Sequence, residues 1–429
     1  MSSNEFIKTN QTTINAIDSG PSKRTTRLLS RVLSLDDFEI EAKKLLPRPI
    51  FGYISGAAEN NVSRKRNRES FDDYEFLPRV LNDVSKRTTT TELFGKIYAA
   101  PFGIAPIGLS ALYAYRGDIV LAKGAAQENV PMILSGTSLI RLEEVIKANP
   151  DAWFQAYLPG DDANIDALLQ RVEKANFKTL VLTVDTCVPA NRENNVRAGF
   201  STPLKPSFRL LLDGMLHPRW SIGTFLKTIT FHGIPHFENS YAHRGAPILS
   251  PTVERDFSFR DHLNWSHVER IRKLWKGAFV IKGILNPEDA RKAVEIGADG
   301  IIVSNHGGRQ LDGAIAPLHA LPAIVQACPD IPVMMDSGIR RAGDVMKALA
   351  LGATFVFAGR PFAYASSVAG EAGVKHALGI LKTEMMRNMA LVGVNDVRDI
   401  NIDEQIIPYS KRASTLVSGK IGCSTIRAV

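Results

Sequence analysis

The chain predicts an α/β fold, a (β/α)8 barrel (TIM barrel) with an N-terminal helical extension and a long insertion after strand 4. Three observations predict it. Eight short apolar runs recur along the sequence, each with the length and composition of a strand buried on both faces. Segments rich in helix formers separate most of them, and such alternation gives a parallel sheet covered by helices. Small or polar residues gather at the C-terminal end of every run, which is where barrels of this kind carry their sites.

The runs cover 101–105, 131–135, 152–157, 179–185, 278–283, 300–305, 332–337 and 354–359. Their ends deliver Pro106-Ile107-Gly108, then Ser135, Gln155 with Tyr157, and Thr183 with Asp185. The second half delivers Lys282, Ser304 with His306 and Arg309, Asp336, and Gly359-Arg360. A representative helix spans 286–297, where Asn286 caps, Pro287 suits the first turn and Gly297 stops the helix. Residues 1–30 are polar, rich in Ser, Thr and Asn, and are expected to form a mobile tail. The barrel domain is expected over 31–400 with an insertion at 199–262, followed by a C-terminal extension at 401–429.

Composition narrows the function classes. Of 429 residues, 45% are hydrophobic and 22% charged, ordinary values for a globular chain with a large core. Fifty-two basic residues face 44 acidic ones, a formal charge of +8. That balance suits anionic substrates, cofactors or lipid, or simply a basic surface. Nucleic acid is not expected, since no helix-turn-helix, zinc-finger or aromatic-stacking pattern accompanies the charge. Cys187, Cys328 and Cys423 are far apart, so neither a metal site nor a disulfide framework is expected, in keeping with a reducing, cytoplasmic compartment. No run of about 18 apolar residues appears, and none is expected to span a membrane.

The chemistry is concentrated in Ser304-Asn305-His306-Gly307-Gly308-Arg309-Gln310-Leu311-Asp312-Gly313. Histidine takes a proton near neutral pH, and arginine grips a carboxylate with paired hydrogen bonds. Side by side at a strand end, they point to chemistry next to a carboxylate. Asp336-Ser337-Gly338-Ile339-Arg340 and Gly359-Arg360 follow the last two strands, where barrels commonly bind a phosphate on backbone N–H groups.

These motifs resemble the FMN-dependent 2-hydroxy acid dehydrogenase and oxidase family, which includes glycolate oxidase and the L-lactate and mandelate dehydrogenases. The likeness covers about 34–392, and 212–220 is similar to the membrane-associated lactate and mandelate dehydrogenases in particular. The resemblance implies FMN as cofactor and a small 2-hydroxy acid, lactate- or mandelate-like, as substrate. It implies His306 as base, Asp185 orienting its imidazole, and Lys282 beside the flavin pyrimidine. Arg309 and Arg192 would hold the substrate carboxylate, with Tyr53 and Tyr157 hydrogen-bonding the substrate. Pro106, Ile107, Gly108, Ser135, Gln155, Thr183 and Ser304 would contact the isoalloxazine. Asp336, Ser337, Gly338 and Arg340, with Gly359 and Arg360, would hold the ribityl phosphate. A homotetramer is implied as the assembly.

The chain departs from commoner family patterns at 136–139 and 187–191, which leaves substrate size open. Residues 186–277 separate strands 4 and 5, far more than one connection needs. Within 205–232, apolar residues mix with four basic residues and one acid. That segment reads as a dock on an anionic membrane, giving a peripheral location on the inner face, or as a lid or subunit contact. Docking favours a quinone or cytochrome as electron acceptor; a lid leaves molecular oxygen, with hydrogen peroxide as product. The competing classes are a flavin-dependent isomerase of phosphorylated substrates and a non-catalytic scaffold. A nicotinamide enzyme is disfavoured because no strand leads into a Gly-x-Gly-x-x-Gly turn. Arg64-Lys65-Arg66-Asn67-Arg68 is expected to be a solvated helix face, and His217, His232, His236 and Cys187 are expected to have no role.

Overall fold

A computed structural model describes residues 20–201, 203, 208–250, 252, 260–402 and 404–411. The expected tail at 1–19, most of the C-terminal extension including Cys423, and Lys205 in the insertion lie outside the described residues. The chain divides between Leu33 and Ser34. In the smaller unit the described residues form a helix, Lys23–Leu29, whose start is capped by Ser22 Oγ accepting from the Thr25 N–H. The described end of the expected tail is therefore helical.

The larger unit is the (β/α)8 barrel. Its strands are Phe102–Ile104, Ile133–Ser135, Trp153–Ala156, Thr179–Thr183, Ala278–Ile284, Gly300–Val303, Val333–Met335 and Phe355–Ala358, numbered here 1 to 8. They pair in parallel in the order 1-8-7-6-5-4-3-2. The bridge between Ile104 and Met132 closes the ring between strands 1 and 2. All eight expected runs are strands, seven of them shorter than the run and the fifth one residue longer.

Nearly every strand residue is buried, because side chains facing inward fill the barrel and those facing outward meet the helices. Ile133, Trp153, Val181, Val280, Ile302, Met334, Phe355 and Phe357 form the inner core, joined by Leu93 and Tyr98. Those last two come from a hairpin, Thr91–Leu93 with Lys96–Tyr98, turned by Phe94-Gly95 with both residues left-handed. Phe94 accepts that backbone because its ring packs on Trp153, 5.5 Å between centroids. The hairpin thus contributes to the core from outside the strand–helix repeat.

Before the barrel, helices Leu35–Leu45, Arg48–Ser55 and Val62–Glu69 carry the N-terminal extension. The third corrects an expectation: it is not simply a solvated face. Lys65 is exposed beside Glu69, but Asn67 is buried, and Arg68 donates to Asp344 at 2.6 Å and to the Gly338 carbonyl. The helix packs its polar face on the loops after strands 6 and 7. Asp312 caps its start from a distance, accepting from the Asn60 and Ser63 N–H groups.

The insertion holds helices Phe208–Leu216, Pro218–Trp220 and Lys227–His232 joined by a π turn, Ser221–Leu226. Phe208, Leu211, Met215, Leu216, Ile222 and Phe231 are well exposed. Trp220 is buried, its indole N–H donating to the Leu112 carbonyl at 2.7 Å. It anchors the segment to the loop after strand 1. Among the described residues no helix is long and apolar enough to cross a membrane.

Candidate active site

The C-terminal strand ends open into a cavity of about 970 Å³, large enough for a cofactor and a small acid together. His306 lies on its wall in a strained loop. His306, Gly307 and Gly308 are consecutive left-handed residues, with φ of 57°, 67° and 74°, and a β-carbon on Gly308 would meet the Arg64 backbone N at 2.6 Å. Such strain persists only where neighbours over-determine it. Here Ser304 Oγ accepts from the His306 N–H, Ser337 Oγ from the Gly307 N–H, and the Gly308 carbonyl from the Ala58 N–H. Below them Asn305 and Asn67 exchange two amide hydrogen bonds, each 2.7 Å and buried.

Strand 5 leaves room for Asp185, from the loop after strand 4, to reach the histidine. Its ladder breaks at Gly283, between Lys282 and Ile284, where φ is 105° and any β-carbon would lie 2.8 Å from the Asp185 Cβ and Cγ. Through that gap the Asp185 carboxylate meets His306 Nδ1 at 2.9 Å. Burial alone would raise the carboxyl pKa, but His306 and Lys282 more than offset it, so Asp185 sits below its ordinary value and is ionised. Burial lowers the His306 pKa, with Lys282 and Arg192 adding to it and Asp185 opposing. The imidazole is therefore neutral at neutral pH. With Nδ1–H donated to Asp185, Nε2 carries the lone pair, 3.4 Å from the Tyr157 hydroxyl.

Lys282 is nearly inaccessible, its Nζ 2.7 Å from Ser304 Oγ and 3.1 Å from Asp336 Oδ2. Burial pulls its pKa down, but Asp336 and Asp185 outweigh burial and keep the ammonium charged. A fixed cation thus stands at the cavity floor.

The arginines form the wall toward the N-terminal extension. Arg309 Nη1 donates to the carbonyls of Tyr53 and Gly56, at 2.8 and 2.9 Å, and its guanidinium lies 5.0 Å over the Tyr53 ring. Both bonds leave from one nitrogen, so the other donors remain for a ligand. Arg192 Nε donates to the Arg309 carbonyl at 3.0 Å, and Nη2 to Gln310. Burial and the Arg309 charge push its pKa down to about 10. Tyr53 packs on Phe200 at 4.7 Å, and its hydroxyl points at the Gly108 carbonyl, 3.4 Å away.

The far floor suits an anion. Ser337 and Gly338 are successive left-handed residues, φ 80° and 87°, a backbone arrangement that gathers N–H groups into a concavity. The helix opening at Arg360 presents its first turn to the same cavity, with Gly359 and Arg340 beside it. Arg360 itself donates to the carbonyls of Ile54, Gly307 and Gly56, at 3.0, 2.9 and 2.8 Å. It ties the extension to the histidine loop, and burial with the Arg309 charge lowers its pKa to about 9. Asp336, grouped from sequence with the phosphate contacts, has its carboxylate on Lys282 and the Ser337 hydroxyl.

The structure brings together on the cavity wall Tyr53, Pro106, Ile107, Gly108, Tyr157, Arg192, Lys282, His306, Arg309, Asp336, Ser337, Gly338, Arg340, Gly359 and Arg360. Ser135, Gln155, Thr183 and Ser304 are buried at the strand ends behind that wall. Two of them bear on cofactor fit: Gln155 Nε2 and Thr183 Oγ1 are buried without a hydrogen-bond partner. Unpaired buried polar groups are costly, and a flat ring edged with carbonyl and nitrogen acceptors would satisfy such donors. With the anion concavity and the Lys282 cation, this donor set fits a flavin mononucleotide.

Sequence reasoning missed Arg260 and Asn67. Arg260 also lines the cavity, 4.6 Å over the Tyr157 ring. Its segment of the insertion has no periodicity that would have announced it. Cys187 is exposed between the cavity-lining Thr186 and Val188.

Known proteins resemble this chain along most of its length. Residues 42–406 match the family described as FMN-dependent dehydrogenase. The chain is 40% identical over 389 residues to an L-lactate dehydrogenase of Pectobacterium atrosepticum, covering 89% of this chain and 98% of the relative. An L-lactate dehydrogenase of Ectopseudomonas mendocina is 41% identical over 378 residues, covering 86% and 97%. Among solved structures, the monotopic membrane protein (S)-mandelate dehydrogenase superposes with a TM-score of 0.81 at 34% identity, covering 88% of this chain and 99% of that one. A mandelate oxidase variant with 2-hydroxy-phenylacetamide gives 0.71 at 33%, covering 85% and 96%.

Proposed function

The chain belongs to the FMN-dependent dehydrogenase family and is a flavoprotein oxidoreductase of 2-hydroxy acids, and from that premise we propose that it oxidises an L-2-hydroxy acid to the 2-oxo acid with His306 as base. The observation that carries this is the His306–Asp185 pair at 2.9 Å, with His306 lining one cavity together with Arg309, Arg192 and Lys282.

Arg309 and Arg192 hold the substrate carboxylate, using donors that their backbone bonds leave over, with Tyr53 and Tyr157 as hydroxyl partners. This fixes the carbon bearing the hydroxyl beside His306 Nε2, and orientation of that kind supplies much of the rate. Nε2 takes the substrate proton, and Asp185 stabilises the imidazolium that results. FMN, when bound, supplies the two-electron acceptor. Ser337, Gly338, Arg340, Gly359 and the helix start at Arg360 would hold its phosphate, and Asp336 would face its ribityl hydroxyls. Ser135, Gln155, Thr183 and Ser304 with Pro106, Ile107 and Gly108 would line its ring. Lys282 would stand by the pyrimidine, where a buried cation stabilises negative charge.

The exposed apolar residues of 208–231, together with the likeness to a monotopic membrane protein, support docking on an anionic membrane face and transfer to a quinone or other respiratory carrier. Likeness to mandelate oxidase supports the second reading, oxygen as acceptor with hydrogen peroxide formed. A homotetramer is the proposed assembly.

The test is the visible spectrum of the purified, FMN-loaded protein under anaerobic conditions with L-lactate and, separately, (S)-mandelate. Bleaching of the flavin band by either acid is expected. A bound flavin that no 2-hydroxy acid bleaches would overturn the reading, and peroxide after admitting air would decide for oxygen.

A further inference from the structure

The insertion encloses a second cavity, of about 410 Å³, against the loops after strands 1 and 2 and the helix Asp162–Lys174. Among the described residues, none lines both this cavity and the active site. Polar contacts fix its walls. The Asn239 side chain accepts from the Leu142 N–H at 2.9 Å and donates to the Ile140 carbonyl at 2.8 Å. Arg171 donates to the carbonyls of Glu238 and Tyr241, at 2.7 and 3.0 Å. These bonds pin the insertion to the barrel and preform the cavity.

Its lining is rich in cations. Arg116, Arg141, Arg171 and Arg244 all face it, and the four share three carboxylates. Arg171 forks onto Glu143 at 2.8 and 2.9 Å, with Arg141 3.4 Å from the same group. Arg116 gives Nη2 to Glu144 at 2.6 Å, and Arg244 gives Nε to Glu238 at 2.8 Å. Those single contacts leave further N–H donors on Arg116 and Arg244. His232, which the sequence left without a role, also lines the cavity. With the Tyr115 hydroxyl donating to its Nε2, 3.0 Å away, Nδ1–H remains a donor. A separate observation points to a ligand: Thr228, on the same wall, is 9% exposed, and its buried hydroxyl has no hydrogen-bond partner. Such a group is costly unless an acceptor meets it. The rim is apolar. Ile234 on the wall and Phe231 beside His232 are both exposed, as are Ile222 and Leu226 of the π turn.

We propose that this cavity takes the phosphate of an anionic phospholipid headgroup, held by Arg116, Arg244 and His232 with the Thr228 hydroxyl, while Phe231 and Ile234 meet the acyl region. This deepens the membrane reading above and rests on it. Guanidinium forks match the oxygens of a phosphate, and the excess positive charge calls for an anion. A cavity of this size holds more than a lone inorganic ion. Cations within and exposed apolar side chains at the rim reproduce the order of charge and hydrocarbon at a membrane surface, which favours a lipid over a soluble phosphate ester.

The test uses the full-length, FMN-loaded chain and its Arg116→Gln, Arg244→Gln and Thr228→Val variants, with flavin content and Tm as checks on folding. Sedimentation is measured with phosphatidylcholine vesicles that carry phosphatidylglycerol or, at equal surface charge, oleate. Calorimetry follows monomeric dihexanoyl phosphatidylglycerol and, separately, glycerol 3-phosphate. Expected is stronger sedimentation with phosphatidylglycerol than with oleate. Either arginine variant should bind the short-chain lipid roughly 10- to 100-fold more weakly, the size of a charge-assisted hydrogen bond. Thr228→Val should keep its Tm and lose a few-fold, which decides the matter if the arginine variants fail to fold. Equal sedimentation on both vesicles, or short-chain lipid binding that no variant weakens, would overturn the proposal. Glycerol 3-phosphate bound as tightly as the lipid would overturn the lipid as occupant and assign the cavity to a soluble phosphate ester. If neither vesicle carries the chain down, the membrane reading falls, and variant-sensitive binding of the short-chain lipid still sustains this site while its absence overturns it.

Discussion

His306 and Arg309 were legible as residues because both sit in one short motif at the end of an apolar run. Asp185 and Lys282 were legible as strand-end residues, although their roles came only with the family likeness. Asn67 was not, since a polar amide among four basic residues looks like a solvated helix face until Asn305 is seen opposite it. Asp118 was also missed. It stands at the first turn of helix Gly117–Gln127, fully buried, with Ser138 Oγ on one oxygen and no partner for the other. Burial, partly countered by Ser110, Ser138 and Arg116, raises its pKa to about 6. A carboxyl whose folded pKa is raised binds its proton more tightly in the native state, so stability falls as pH rises from the unfolded value to the folded one. Above pH 6 the buried charge should cost on the order of 3 kcal/mol. Asp118→Asn should therefore raise Tm relative to the parent at pH 8, and the gain should vanish near pH 4. A gain of equal size at both pH values would show that charge is not the cause.

Among elements, the eight strands were legible because burial on both faces gives continuous apolar runs. The hairpin Thr91–Tyr98 was not, since three-residue strands carry too little pattern and its turn puts a phenylalanine where asparagine is usual. The insertion was legible in length and composition only. Its tertiary role needed the structure, which buries Trp220 and leaves Phe208, Leu211, Met215 and Leu216 outward on one helix. If this helix docks on lipid, the chain should sediment with anionic vesicles, less so as salt rises. Replacing those four residues by serine should abolish sedimentation while dye-coupled turnover stays unchanged. Sedimentation that survives the replacement would assign the helix to a subunit contact or a lid.

At the scale of the whole molecule, the barrel explains why residues more than 250 positions apart in sequence, such as Tyr53 and Arg309, meet at one mouth. Each strand end contributes one or two groups, and the N-terminal extension closes the side that the strands leave open, through the carbonyls of Ile54 and Gly56. The sequence could name the ends but not their distances, because closure, the gap at Gly283 and the left-handed run at 306–308 are properties of the assembled ring.

We propose that a neutral His306, held by Asp185, is the base of 2-hydroxy acid oxidation. It is tested most directly by the rate of anaerobic flavin reduction across pH, in the wild type and in His306→Asn. Because burial outweighs Asp185, the histidine pKa lies below its ordinary 6.5, so the wild-type rate should hold through neutral pH and fall only on the acid side of that value. His306→Asn should keep its flavin, lose about 10² to 10⁴-fold in rate, and show no such acid limb. A variant that reduces its flavin at the wild-type rate, or keeps the same limb, would contradict the assignment.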